Sequence, residues 1–226
     1  MLTELENGFG LDVVLWLQAH GSPALDFLAQ AIHILGSPSW YLFLLLPPLL
    51  WRRKTLTPRP FPSERGEQET ISSVNTRMRA YQWVFTLVVA ILLTDVLKLI
   101  VQAPRPYQVA PDLVRLIVVQ RSNYGLPSGH VAGALAMSGL AAVWGGRRWM
   151  WIPVAAWTLL VGWARMYAGV HYPQDVIAGI LIGTVSLWIS LRYFDRFIVW
   201  WDRIPLAARV AVIAFGLIAV FNVPGI

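Results

Sequence analysis

Apolar runs at about 38–52, 80–102, 127–145, 149–167, 173–192 and 205–222 follow one another along this chain. Several approach the roughly 20 residues that a helix needs to cross a bilayer. Hydrocarbon offers a backbone no hydrogen-bond partners, so runs of this length must close their amide bonds within helices. The expected fold is all-α: a polytopic membrane helical bundle with about six transmembrane helices, forming one membrane-embedded domain over residues 1–226. Hydrophobic residues make up 57% of the chain and charged residues only 13%, which agrees with burial in lipid. Trp40, Trp51, Trp144, Trp149, Trp151, Trp200 and Trp201 fall near the ends of runs, where an aromatic belt forms. With no cysteine, the chain has neither a disulfide framework nor a thiolate nucleophile.

A formal charge of +6 raises the question of nucleic acid. Most of the basic residues sit in links between apolar runs, as membrane topology alone requires, so no nucleic-acid partner is expected. The links at 52–79, 145–149 and 192–204 carry twelve Lys or Arg, which places them on the cytoplasmic side. Residues 1–37 carry Glu4, Glu6 and Asp12 but no Lys or Arg, and lack the basic start of a signal peptide. Two amphipathic stretches near 10–20 and 24–35 read as interfacial helices, the second leading through Gly36-Ser37-Pro38 into the first span. His20 and His33 lie here without partner motifs, and read as structural or interfacial. Residues 52–79, with Pro58-Arg59-Pro60-Phe61-Pro62 and a polar run, read as a solvated linker.

Ionisable residues inside or beside apolar runs are costly and mark function. Three groups stand out: Lys98 with Arg105 and Pro106, then Pro127-Ser128-Gly129-His130, then Arg165 with His171 and Asp175. With six spans all three fall on the outer side, opposite the basic links. A phosphate group carries charge and several acceptor oxygens, and Lys98, Arg105 and Arg165 offer one point charge and two planar forks to meet them. Pro127 suits the first position of a helix, which would put Ser128, Gly129 and His130 in its first turn, where free amides face an anion. His171 is assigned as a nucleophile, with Asp175 four residues on to orient its ring. His130 has the side chain needed to protonate a leaving oxygen and then activate water. Asp95, three residues before Lys98, reads as a charge partner, and Gly179 with Gly183 as a helix-packing face. Singly each group is weak, since a Pro-Ser-Gly-His is often only a helix start. Together, in order and on one side of the membrane, they outgrow a purely structural explanation.

In these motifs the chain resembles the type-2 phosphatidic acid phosphatase or lipid phosphate phosphatase superfamily, whose site is shared with vanadium haloperoxidases and bacterial non-specific acid phosphatases. The family pattern of Lys-x6-Arg-Pro, Pro-Ser-Gly-His and Ser-Arg-x5-His-x3-Asp is met by Lys98, Arg105, Pro106, Pro127, Ser128, Gly129, His130, Arg165, His171 and Asp175, over a core of about 80–192. Ala164 stands where the family usually has Ser. The resemblance implies a metal-independent phosphohistidine mechanism without a cofactor, acting on a membrane lipid phosphate. It implies a multi-pass plasma-membrane protein with its site on the extracytoplasmic side. Undecaprenyl diphosphate is the favoured substrate, because an outward site meets that carrier where it is released. Phosphatidylglycerophosphate or phosphatidic acid hydrolysis, phosphoryl transfer to another lipid, and a silent binding protein are the alternatives. Head group, tail and oligomeric state are not encoded in any motif.

Overall fold

The computed structural model describes residues 6–43, 64–120, 123–205 and 207–209. Among them every regular element is helical. After a π-helical turn at Glu6–Gly10 come α1 (Leu11–Ala19), α2 (Pro23–Leu35), α3 (Pro38–Phe43), α4 (Glu64–Val101), α5 (Pro106–Val109), α6 (Gly129–Gly145), α7 (Trp151–Tyr167) and α8 (Pro173–Arg203), with a 3-10 turn at Arg148–Met150 before α7. The two N-terminal helices fall where amphipathic patterning placed them. Ser22 caps α2, its Oγ accepting from the Leu25 amide, with Pro23 at the first helical position.

Three boundaries differ from the sequence reading. Residues 64–79, read as linker, belong to α4, because no proline interrupts the backbone ladder between Pro62 and Pro104. Likewise α8 continues through the expected link at 192–204 and stops only before Pro205. The third expected span begins later than read: Ser128 is the N-cap of α6 and Gly129 its first residue, while Pro127 precedes it after a cis peptide bond. Most of the first expected span (38–52) and of the sixth (205–222) lies outside the described residues.

By length and apolar character, α4 and α8 can each cross a bilayer. α6 and α7, with 17 residues apiece, measure about 25 Å at 1.5 Å per residue. α6 is the central helix, packed against α4, α7 and α8, and it is built largely from Ala and Gly. Small residues let neighbouring backbones come close. A Cβ on Gly179 would lie 2.7 Å from the Ser128 carbonyl, and one on Gly183 would lie 2.7 Å from that of Ala132. Polar ties reinforce the contacts. Thr86 donates to Ser190 at 2.6 Å between α4 and α8, and Trp144 Nε1 to Gln82 at 3.1 Å between α6 and α4. The outward faces remain apolar, with Leu92, Ile100, Ile152, Leu159, Ile177 and Leu181 exposed. A surface of that kind suits lipid and would be a liability in water.

Because successive helices run in opposite directions, the C-terminal ends of α4 and α7 share one end of the bundle with the N-terminal ends of α6 and α8. Replacing Gly183 with valine forces α8 away from α6. The expected loss is on the order of 1–3 kcal/mol, read as a lowered unfolding midpoint in detergent, whereas Gly133→Ala, whose Cβ would stand at an ordinary 3.5 Å from the Tyr41 ring, meets no such clash.

Candidate active site

Lys98 occupies the last turn of α4, and Arg105 is the N-cap of α5 just beyond the Ala103-Pro104 break. Arg165 closes α7, and a tight turn then carries the chain to His171. Gly169 makes that turn possible: its φ is +75°, and a Cβ there would lie 2.6 Å from the Arg115 carbonyl. The turn is pinned by the 106–119 segment, with Tyr107 N donating to Gly169 O at 3.2 Å and Ile117 N to Ala168 O at 3.3 Å. Arg105 Nη1 donates to the Val170 carbonyl at 2.9 Å, so the first motif reaches the third through the backbone.

Asp175 is fully buried in the first turn of α8. Its Oδ2 accepts from the Tyr172 amide at 2.9 Å and meets His171 Nδ1 at 3.2 Å. One carboxylate thus caps the helix and takes the proton on Nδ1, which leaves the lone pair of His171 on Nε2, 3.4 Å from Arg105 Nη1. Burial pushes the His171 ring well below its ordinary pKa, and the Arg105, Arg165 and Lys98 charges push it further down. Both effects favour the neutral imidazole.

The second motif meets this one directly, since Ser128 N donates to the Asp175 carbonyl at 3.0 Å. Gly129 and His130 follow in the first turn of α6, where amides have no partner inside the helix. Ser128 Oγ, Thr94 Oγ1 and His130 Nε2 are buried with no hydrogen-bond partner among the described residues. Buried polar atoms left in that condition call for a ligand or water. A cavity of about 430 Å³ opens at this end of the bundle, lined by Lys98, Arg105, Gly129, His130, Arg165 and His171. Ser128 and Asp175 stand immediately behind its wall. All eight residues singled out in the sequence therefore gather in one place. Asp95 pairs with Lys98 at 3.7 Å, the partnership expected of it. Ala164 is buried among Ala29, Val161 and Val131, with apolar neighbours where a serine would need a partner. Among the described residues no group of three or more His, Asp or Glu is arranged to hold a metal ion.

Some lining residues carried no motif. His33, read as structural or interfacial, reaches the cavity from α2, and Gln120 reaches it from the loop before α6. His33 shares a helix face with Asp26 and Ala29, so two polar residues on an otherwise apolar stripe were the one local signal. Asp26 explains Arg115 as well: it accepts from both Arg115 Nη groups at 3.2 and 3.3 Å and from Tyr167 Oη at 2.5 Å, locking α2 to the end of α7.

Helices surrounding a pocket of cations and imidazoles, polar within and apolar outside, define a membrane-type protein with an anion site. The chain belongs to the PAP2 superfamily, whose family model matches residues 79–198. It is 35% identical over 115 residues to an undecaprenyl-diphosphatase of Sulfolobus acidocaldarius, covering 51% of this chain and 53% of that protein. It is 27% identical over 108 residues to the undecaprenyl-diphosphatase BcrC of Bacillus subtilis, covering 48% and 54%. The chain thus spans about half the length of these curated relatives. Among solved structures, Aquifex aeolicus LpxE shares the fold with a TM-score of 0.62 at 24% identity, over 82% of this chain and 96% of that one.

The neutral state of His171 is open to measurement. Its ring nitrogens should keep the chemical shifts of a neutral, Nδ1-protonated imidazole at about pH 6, where an ordinary histidine is largely charged. A ring already protonated there would contradict the site as described.

Proposed function

We propose that this chain is an integral membrane phosphatase that removes the terminal phosphate from a lipid phosphate or isoprenoid diphosphate through a covalent phosphohistidine, with no metal ion. The observation that carries this reading is the His171 ring, held at Nδ1 by Asp175 with its Nε2 lone pair beside the Arg105 guanidinium, in a cavity where Lys98 and Arg165 also converge. Neutral imidazole is a competent nucleophile, and its pairing with a carboxylate stabilises the charge that it acquires on attack.

Lys98, Arg105 and Arg165 hold the oxygens of the phosphoryl group, together with the first-turn amides of α6 at Gly129. His171 Nε2 attacks phosphorus while the bond to the leaving oxygen breaks, and His130, entering the step as the imidazolium beside the bound phosphate, delivers its proton to that oxygen. Water then attacks the phosphohistidine as His130 takes its proton. The P–N bond breaks, inorganic phosphate leaves, and both rings return to their starting forms. The cations are worth most when charge spreads over the equatorial oxygens in transfer, and burial strengthens them by excluding water.

The helix directions support a site on the face opposite the basic links, which the positive-inside rule makes extracytoplasmic. That side, together with relatives named as undecaprenyl-diphosphatases, favours a polyprenyl diphosphate as substrate.

Purified protein should release phosphate from a panel of lipid phosphates and isoprenoid diphosphates in the presence of a chelator, and vanadate should inhibit it as a five-coordinate mimic. A strict requirement for magnesium would defeat the mechanism. His171→Ala should lower kcat/KM by about 10³-fold or more. Asp175→Asn, whose amide oxygen can accept the same two bonds but brings no negative charge to the His171 ring, should cost about 10²-fold or more while the protein remains folded.

A further inference from the structure

Arg165 is gripped by two acceptors that lie outside the three motifs. Its Nη1 meets His33 Nδ1 at 2.7 Å and its Nη2 donates to Gln120 Oε1 at 2.7 Å. Its Nε is buried with no hydrogen-bond partner among the described residues. A guanidinium can only donate, so Nδ1 of His33 accepts and the ring carries its proton on Nε2. The same ring stacks on His130, with centroids 4.9 Å apart and planes at 23°. One side chain from α2 therefore touches both a phosphate-holding cation and the histidine assigned to proton transfer.

We propose that His33, seconded by Gln120, is a positioning residue for phosphoryl transfer: by accepting from Arg165 it sets the plane and rotation of the guanidinium, so that the remaining N–H groups aim into the cavity. This inference rests on the phosphatase reading above. A planar fork with two of its three nitrogens tied to fixed acceptors cannot turn about its last side-chain bonds. Removing one acceptor leaves a buried N–H unmet and frees that rotation. Donors aimed where charge develops matter more in the transition state than in the ground state, so the loss falls on kcat rather than on KM.

Two substitutions separate the acceptor from the ring. His33→Asn keeps an oxygen near the Nδ1 position and loses the stacking; His33→Phe keeps the stacking and loses the acceptor. Each protein is titrated calorimetrically with vanadate, a transition-state mimic, and with inorganic phosphate, a ground-state one, and is assayed on farnesyl diphosphate. In His33→Phe, vanadate affinity and kcat should fall by about tenfold or more, while phosphate affinity and KM change by less than about threefold. His33→Asn should stay within about threefold of wild type on every measure. Gln120→Leu removes the other acceptor without touching α2, should lose vanadate affinity in the same way, and serves if His33→Phe does not fold. A His33→Phe protein that binds vanadate like wild type, or an Asn variant impaired as badly as the Phe variant, overturns the proposal. Vanadate binding does not depend on turnover, so a wild-type protein inert towards every lipid phosphate would sink the phosphatase reading while the positioning of Arg165 is still judged.

Discussion

Three cations held together inside a protein repel one another, and the structure of this chain depends on containing that repulsion. Lys98 has Asp95 beside it, whereas Arg165 meets neutral acceptors in His33 and Gln120. Arg105, only 2% exposed, reaches the Val170 carbonyl. Each contact satisfies hydrogen bonds more fully than it neutralises charge, so the pocket remains electropositive. The doubly charged phosphoryl group of the proposed reaction would supply the missing counter-charge, and helix packing keeps the cations close enough to share it.

That packing comes from residues with almost no side chain. Gly179 and Gly183 bring α8 against the backbone of α6, which sets the start of α8 beside the start of α6. There the Ser128 amide meets the Asp175 carbonyl, and the Asp175 carboxylate caps its own helix while orienting His171. A helix cap and the orientation of a buried histidine ring are thus one interaction. The arrangement ties His171, two residues before α8, to the first turn of that long helix, so little motion is left in its ring.

Much of this was legible from residue order. Span length and the absence of partners in lipid demanded helices, and prolines at 104, 127, 173 and 205 marked ends or starts to within a few residues. Two of the three boundaries that moved did so where polar composition suggested a break but nothing physically stopped the helix, at residues 64–79 and 192–203. Asp95 and the Gly179–Gly183 pair could be read correctly because their partners lie at short range or follow from backbone geometry. His33 could not, because its partners Arg165 and His130 are about a hundred residues or more away, and a polar residue on the apolar stripe of α2 does not say which distant groups it meets.

The order of residues settled which groups are present and which end of each helix carries them, because helix length, capping and charge bias are local properties. Long-range packing settled which lone nitrogen faces which cation: that Arg165 is clasped by α2 and by the loop at Gln120, and that Ala164 is surrounded by methyl groups. Hydrogen bonds between distant segments depend on angstrom-scale placement of whole helices, and no periodicity within any one helix encodes where its neighbour will lie.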